Sequence, residues 1–240
     1  MSSDKCTELI NDLKAAANPT KATLLQRFFK TGKGQYAEGD IFWGLTASLA
    51  RSIARKHKNL DLAALEKLLT HKVHDVRLCT LLIMVHQAQT KPEHMYKLYL
   101  DNTKFINNWD LVDLSAPTLV GNYLLDKDCA ILRQLAQSSS LWERRIAIIA
   151  TFAFIKQGHH EHTLELARLL MQDKHDLIHK AGGWMLREVG KRCSTKILEN
   201  FLDQHAANMP RTMLRYALEH LPPNKKKYYM QAKSKKEILL

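Results

Sequence analysis

The sequence predicts an all-α protein, and three observations support this prediction. Glycine and proline, which turns between strands require, number 9 and 6 among 240 residues, about half of their usual share. Apolar residues recur at spacings of three and four, as in amphipathic helices, and no convincing alternation of period two is present. Similar helix openings also recur along the chain at a nearly constant interval.

The recurring openings begin at residues 74, 108, 142, 176 and 209, so that successive starts lie 34, 34, 34 and 33 residues apart. Helix pairs at such a period are typical of α-solenoids. The tetratricopeptide and ankyrin consensus patterns do not fit, so we predict a HEAT-like α-solenoid, a right-handed stack of antiparallel helix pairs, in one domain over residues 1–223. The openings are His74-Asp-Val-Arg-Leu, Asn108-Trp-Asp-Leu-Val, Trp142-Glu-Arg-Arg-Ile, Asp176-Leu-Ile-His-Lys and Met209-Pro-Arg-Thr-Met.

The sequence also predicts the position of one loop and of individual helices. A flexible loop is predicted at residues 31–40, where three glycines fall within eight residues. Asp40, at the end of this loop, is placed to cap a helix that begins near Ile41. Apolar positions predict helices around Leu62, Leu65, Leu68 and Leu69, around Leu78, Leu81, Leu82 and Val85, and around Leu166, Leu169 and Leu170.

The charge of the chain indicates a polyanionic partner. Lys and Arg number 36 against 24 Asp and Glu, a formal net charge of +12, which argues against an acidic carrier and favours nucleic acid or a membrane surface. Residues 224–240 contain six lysines and one acid and form a predicted basic C-terminal tail.

The compartment is predicted from what the sequence lacks. There is no apolar signal segment, and the longest apolar run, Ile146 to Ile155, is too short to span a bilayer. The four cysteines are widely spaced and suit reduced thiols. We therefore expect a cytoplasmic protein, associated with the nucleoid if bacterial, and no membrane partner.

A basic residue stands near the start of most of the predicted second helices. If the repeats stack, these side chains form a ladder suited to DNA phosphates, whereas the alternative is that they are ordinary solvated charges. The recurrence favours the ladder, with Arg77, Arg144, Lys180 and Arg211 as DNA-binding residues.

Tryptophans accompany the same openings. Trp109 and Asp113 have the i, i+4 spacing that places two side chains on one helix face, and Trp142 and Arg145 are three residues apart. Trp184 follows Gly182 and Gly183, a pair that costs helix stability and suits a close approach to the backbone. The alternatives are core packing for each tryptophan and an exposed or capping role for Asp113.

The histidine clusters do not predict a metal site. His159, His160 and His162 surround Glu161 in a turn. His175 and His179 have the spacing of a helical zinc site, but the general-base glutamate of HExxH and a third ligand are absent. We expect no metal and no cofactor.

Several of these segments together resemble the DNA-alkylation-repair glycosylases of the AlkD type. They are the segment 28–40, His74-Asp-Val-Arg-Leu, Asn108-Trp-Asp-Leu-Val-Asp113, Trp142-Glu-Arg-Arg145, Gly183-Trp-Met-Leu-Arg-Glu188 and Met209-Pro-Arg-Thr-Met-Leu-Arg-Tyr216. The resemblance runs from about residue 20 to residue 225. The sequence departs from the family pattern at Asn108, where a second aromatic is often found, and in the segment 44–48, which lacks a proline.

The resemblance implies duplex DNA bound in a concave face and a monofunctional glycosylase that removes N3-alkyladenine and N7-alkylguanine. It implies Asp113 as the catalytic carboxylate, Trp109 and Trp184 as aromatic walls at the sugar of the lesion, and Arg145 as a basic residue on the DNA backbone. Such purines are already cationic and leave without a proton donor, so one carboxylate that stabilises an oxocarbenium-like sugar and positions water is sufficient.

Two other functions remain open at this point. The first is a catalytically inactive HEAT-repeat protein that binds DNA, and the second is a protein-scaffolding array, which the charge of +12 disfavours. We expect a monomer that acts on double-stranded DNA containing alkylated purines.

Overall fold

The computed structural model describes residues 2–232, and the helices and turns found there confirm the all-α class. The one β-type contact within this range is an isolated parallel bridge between Ile41 and Val73. The described residues divide into two compact units, unit 1 up to residue 123 and unit 2 from residue 124 onward. The prediction of one repeat domain over residues 1–223 stays a prediction.

Unit 1 is built from the N-terminal helices and two short non-α turns. Its helices are α1 (Ser2–Ala15), α2 (Pro19–Phe28), α3 (Ala47–Lys56), α4 (Leu62–Leu69), α5 (His74–Gln87), α6 (Pro92–Asp101) and α7 (Trp109–Ala116), with a 3-10 turn at Thr103–Phe105, a π turn at Pro117–Gly121 and the start of the short helix α8 (Asn122–Leu124).

Unit 2 follows the same all-helical pattern. Its helices are α9 (Ala130–Ala136), α10 (Leu141–Ala150), α11 (Phe152–Lys156), α12 (Glu161–Leu170), α13 (Asp176–Arg192), α14 (Thr195–His205), α15 (Arg211–Ala217) and α16 (Pro223–Met230), with a 3-10 turn at Ala206–Asn208.

The recurring openings mark real helix starts. Helices α5, α7, α10, α13 and α15 begin at residues 74, 109, 141, 176 and 211, each within two residues of a predicted opening. The apolar positions also behave as predicted for amphipathic helices, since Leu65, Leu68 and Leu69 are buried, while Leu62, the first residue of α4, is 39% exposed.

The glycine-containing loop is anchored at both ends and exposed in the middle. The backbone N–H groups of Ala37 and Gly39 donate to the carbonyls of Lys30 and Thr31 at 3.2 and 3.1 Å, and these bonds close the loop on itself. Residues 32–35 between them are exposed.

The predicted capping role of Asp40 is wrong. Helix α3 begins only at Ala47, and its N-cap is Thr46, whose side chain accepts from the Leu49 N–H at 3.3 Å. Asp40 is instead buried because its carboxylate forms ion pairs inside unit 1, which are described below.

Part of the predicted basic tail is helical. Residues 224–230 belong to α16, which is attached to α14 by an ion pair between Lys225 and Glu199 and by a hydrogen bond of 2.9 Å from the Tyr229 hydroxyl to the Asp203 carboxylate. Residues 233–240 lie outside the described residues.

Candidate active site

Helix α7 carries the two unit 1 residues that the resemblance assigns to catalysis. It begins at Trp109, whose backbone N–H donates to Oδ1 of the fully buried Asn108 at 2.8 Å. Trp109 and Asp113 are both half-buried, and their spacing places them on one face of the helix. Helix α7 therefore presents an indole and a carboxylate one turn apart.

The negative charge of Asp113 affects the pKa of a buried hydroxyl group, that of Tyr99. Burial raises the pKa of Tyr99, and the negative charge of Asp113 raises it further. The Tyr99 hydroxyl is 3.0 Å from the Ser115 hydroxyl, which also donates to the Leu111 carbonyl on α7. The contacts of Ser115 thus hold the buried side of α7, the helix that also carries Asp113.

The indole of Trp109 packs against a cluster of phenylalanines. Its ring centroid lies 5.2 Å from that of Phe29 with the planes 29° apart, and 6.0 Å from that of Phe28 with the planes 73° apart. Phe29 in turn stacks on Phe42 at 5.0 Å and 10°. Phe28 is 61% exposed, so the cluster extends from the interior of unit 1 to solvent.

A buried histidine lies beneath this cluster. His74 is 1% exposed, its Nε2 is 2.8 Å from Asp110 Oδ2, and its Nδ1 is 3.2 Å from Asp40 Oδ2. Its ring stacks on Phe42 at 4.2 Å. Burial alone would lower the pKa of His74, but the Asp110 and Asp40 carboxylates outweigh it and raise the pKa to about 9. The ring is therefore an imidazolium at neutral pH.

Arg77 belongs to the same buried cluster, which corrects its predicted place on a DNA-facing ladder. Its side chain is 4% exposed, and Nη2 is 2.8 and 3.0 Å from the two Asp40 oxygens and 2.9 Å from Asn107 Oδ1. Nη1 donates to the His71 carbonyl at 2.8 Å. The guanidinium is thus committed to the interior of unit 1 and is not presented to a phosphate.

Asp75 ties the segment before α3 to the start of α5. Its carboxylate accepts from the Trp43 N–H at 2.6 Å and from the Leu45 N–H at 3.0 Å. A proline at position 45 could not donate the second bond. Between them, Gly44 has φ +86°, and an added Cβ would lie 2.2 Å from the Asn18 carbonyl oxygen, so glycine is required there.

Helix α10 of unit 2 carries Arg144 and Arg145. Arg144 is half-buried, with Nε 2.6 Å from Asp173 Oδ2. Arg145 is 5% exposed, and its Nη1 donates to the Leu177 carbonyl at 2.6 Å. Trp142 is also buried. Arg144 thus binds the turn before α13 and Arg145 binds the first turn of α13, contacts that the sequence pattern does not reveal.

Helix α13 of unit 2 carries Trp184 and Lys180. Trp184 is half-buried, and its ring lies 6.2 Å from that of Phe152, over which the Arg192 guanidinium also lies at 5.2 Å. Lys180 pairs with Asp176 at 2.8 Å and is 41% exposed. Both side chains remain partly accessible to a ligand.

The glycines before Trp184 make room for helix α15. A Cβ at Gly183 would lie 2.4 Å from the Met213 carbonyl oxygen and 2.5 Å from Tyr216 Cβ, and a Cβ at Gly182 would lie 2.6 Å from Met213 Cε. The close approach that the sequence suggested is thus a helix–helix contact. Arg211, the first residue of α15, is exposed and donates to the Met230 carbonyl at 2.7 Å.

Sequence reasoning missed the group formed by Asp40, His74 and Asp110. His74 and Asp110 each lie within a recurring opening, but they are 36 residues apart, and no local pattern predicts their pairing. The available signal was the presence of an ionisable residue near the start of α5 and of α7, beside apolar positions.

The described part of the chain lacks two further features. Within residues 2–232, no group of three or more His, Cys, Asp or Glu side chains is placed to hold a metal ion. No helix in the same range combines the length and the apolar character needed to cross a membrane.

Comparison with known proteins identifies the family. The family model described as "DNA alkylation repair enzyme" matches residues 9–221. A solved structure titled a predicted DNA alkylation repair enzyme from Enterococcus faecalis is similar over 86% of this chain and 97% of its own, with a TM-score of 0.70 and 15% sequence identity. No curated protein matches. The likeness to the solved structure shows a common fold, and the family match shows that this chain belongs to the DNA alkylation repair enzyme family.

Proposed function

We propose that the protein is a DNA glycosylase that hydrolyses the N-glycosidic bond of cationic alkylated purines, N3-alkyladenine and N7-alkylguanine, in duplex DNA. The observation that carries the proposal is the placement of Trp109 and Asp113 on one face of α7, in a chain of the DNA alkylation repair enzyme family.

The chemistry requires few groups because the substrate is already charged. A purine alkylated at N3 or N7 carries a positive charge and leaves as a neutral base, so no general acid is needed. The remaining barrier is the formation of an oxocarbenium-like sugar that water then attacks. A fixed carboxylate lowers this barrier by stabilising the positive charge and by orienting the water.

In unit 1, Asp113 supplies this carboxylate. The face of the Trp109 indole attracts a cation with about 0.5–2 kcal/mol, which favours cationic lesions over neutral ones such as uracil. The ring contacts with Phe29 and Phe28 hold the indole in one orientation, so little conformational entropy is lost when the lesion binds.

In unit 2, we propose the roles that the resemblance implies. Trp184 is a second aromatic contact for the sugar of the lesion, and Arg145 is a basic residue for the DNA backbone. The partly accessible Trp184 ring supports the first role. For Arg145, its place near the start of α10, in the segment Trp142-Glu-Arg-Arg145 that carries the resemblance, supports the second role.

A base-release assay tests the proposal. Duplex DNA containing N7-methylguanine is incubated with protein under single-turnover conditions, and the free base is quantified. We expect the wild type to release it and Asp113→Asn to release it at least 100-fold more slowly, as for loss of one electrostatic catalytic group. Asp101→Asn, which neutralises an exposed acid of the same unit, is the matched control and should match the wild type.

Two outcomes would contradict the proposal. Equal rates for Asp113→Asn and the wild type would show that Asp113 is not the catalytic carboxylate. Salt-sensitive binding of methylated duplex by the wild type, without any base release, would support the catalytically inactive DNA-binding protein instead.

A further inference from the structure

We infer that His74 is a positioning residue: held between Asp40 and Asp110, it fixes the first turn of α7 and thereby the orientation of Trp109. The inference rests on the proposed function for its catalytic consequence, although the geometric coupling can be tested without it. His74 does not touch the proposed catalytic carboxylate and would act through α7.

The geometry at both ring nitrogens requires a cation. Nε2 faces Asp110 Oδ2 at 2.8 Å, and Nδ1 faces Asp40 Oδ2 at 3.2 Å. Ionised carboxylates only accept hydrogen bonds, and a neutral imidazole has one N–H donor, so both contacts are hydrogen bonds only when the ring is protonated on both nitrogens. The imidazolium therefore joins the segment before α3, through Asp40, to the first turn of α7, through Asp110.

The charges around the ring keep it protonated. The anions that face it are Asp40 from the segment before α3 and Asp110 from α7, and the nearby cation Arg77, on the same helix, is neutralised by Asp40. Asp75, the next residue, directs its carboxylate to backbone N–H groups. The pKa of His74, raised to about 9 by the two carboxylates against the effect of burial, agrees with this arrangement.

The ring also packs against the phenylalanines that contact Trp109. His74 stacks on Phe42 at 4.2 Å and lies 5.4 Å from Phe29, the residue on which the Trp109 indole stacks. Asp110, the residue after Trp109, uses its second oxygen to accept from the Leu111 N–H at 2.9 Å. The His74 imidazolium thus contacts the first turn of α7 through Asp110, and it also contacts the phenylalanines that pack against the Trp109 indole.

The consequence for the reaction is a loss of orientation when the ring loses its proton. A neutral ring keeps only one of its two hydrogen bonds, so the first turn of α7 is no longer tied to both segments. Trp109 and, one turn later, Asp113 then sample geometries that do not favour the transition state. We expect slower base release with nearly unchanged binding of undamaged duplex, to which this buried ring makes no contact.

The first experiment follows Trp109 during titration of the wild type. Protein labelled with 15N-tryptophan is titrated from pH 6 to pH 10, with the indole N–H signals assigned by single Trp→Phe variants. We expect the Trp109 signal to move with a midpoint near pH 9. In Asp110→Asn, which removes one of the two carboxylates, the midpoint should fall. A Trp109 signal that stays constant over this range would overturn the inference, whether or not the protein releases bases.

The second experiment separates positioning from a general structural role. His74→Gln keeps a neutral donor but no charge, and we expect at least a 10-fold slower single-turnover release at pH 7.5 with less than a 2-fold change in Kd for undamaged duplex. The Trp109 midpoint near pH 9 should disappear. If His74→Gln is folded and releases N7-methylguanine at the wild-type rate, the inference is wrong.

The two proposals fail in different ways. Absence of base release by the wild type, with the coupled titration of Trp109 intact, would reject the glycosylase and keep the positioning contact. Base release by the wild type with an uncoupled Trp109 would keep the glycosylase and reject the role of His74.

Discussion

Four ionisable residues of unit 1 form a linked group whose formal charges cancel. Asp40 and Asp110 contribute two negative charges, and His74 and Arg77 contribute two positive charges. Asp40, His74 and Arg77 are at most 7% exposed. Because a buried charge is strongly destabilising when its partner is removed, each member of the group depends on the others.

We predict that Arg77→Met destabilises the protein strongly. The substitution keeps an apolar side chain of similar length but leaves Asp40 with His74 as its remaining cation, so the free energy of unfolding should fall by about 3 kcal/mol. Urea denaturation measures this change. Arg51→Met, at an exposed position on α3, is the matched control and should change it by less than about 0.5 kcal/mol. Equal effects of the two substitutions would show that the buried ion pair is not needed.

The contrast between Arg77 and Arg211 shows what a single residue's position in a repeat can and cannot predict. Both stand near the start of a helix at the repeat spacing, yet Arg77 is 4% exposed and Arg211 is exposed. The difference arises because Asp40, 37 residues earlier in the chain, reaches Arg77. Pairings over such distances are set by packing and leave no local trace in the sequence.

At the scale of elements, the glycines of helix α13 allow the neighbouring helices to approach it closely. The position that an added Cβ would occupy at Gly183 is within 2.5 Å of atoms of α15, including the Met213 carbonyl oxygen. At Gly190, the nearest atom is the end of the Leu198 side chain, also at 2.5 Å. Backbone cannot move away as easily as a flexible side chain can.

We therefore predict different effects of the same substitution along one helix. Gly183→Ala should lower the free energy of unfolding by about 1–3 kcal/mol through overpacking, despite the gain of about 1 kcal/mol in helix propensity. Gly190→Ala should cost clearly less, because the Leu198 side chain can change its rotamer. Thermal unfolding of both variants provides the measurement, and similar losses in the two variants would argue against the backbone contact.

Elements were the best predicted level of the structure. The repeat openings predict the starts of five helices to within two residues, since capping and apolar spacing are local properties of the chain. The helix expected near Ile41 is absent, and Asp40, the residue expected to cap it, pairs instead with Arg77 of α5. Tertiary pairing overrides a local capping signal at that point.

At the scale of the whole molecule, the net charge of +12 is not equally available to DNA. Some of the predicted ladder is engaged inside its own unit, as for Arg77 with Asp40 and Arg144 with Asp173. Exposed members such as Arg211 keep the role that the ladder proposes. The order of the motifs in the sequence therefore indicated the family better than the total charge did.

We predict that Arg211→Ala lowers the salt dependence of DNA binding. Loss of one phosphate contact should reduce the slope of log K against log salt concentration by about 0.9, with a small change in thermal stability because the hydrogen bond to the Met230 carbonyl, which is also lost, is exposed to solvent. Fluorescence anisotropy with undamaged duplex at several salt concentrations measures the slope. Arg133→Ala, in which the removed arginine pairs with Glu165 on the surface of unit 2, should leave the slope unchanged. The same decrease in both variants would mean that the ladder has no special place in binding.

The loop at residues 31–40 has fixed ends and an exposed middle. Its ends are fixed by the backbone bonds from Ala37 and Gly39 and by the burial of Asp40, while residues 32–35 are exposed. Gly34 has φ +75°, a conformation that favours glycine, whereas its neighbour Lys33 has an exposed side chain. This turn is consequently a suitable attachment point for a probe or affinity tag. The attached group would lie in solvent, and the buried ion pairs of Asp40 with His74 and Arg77 would stay intact.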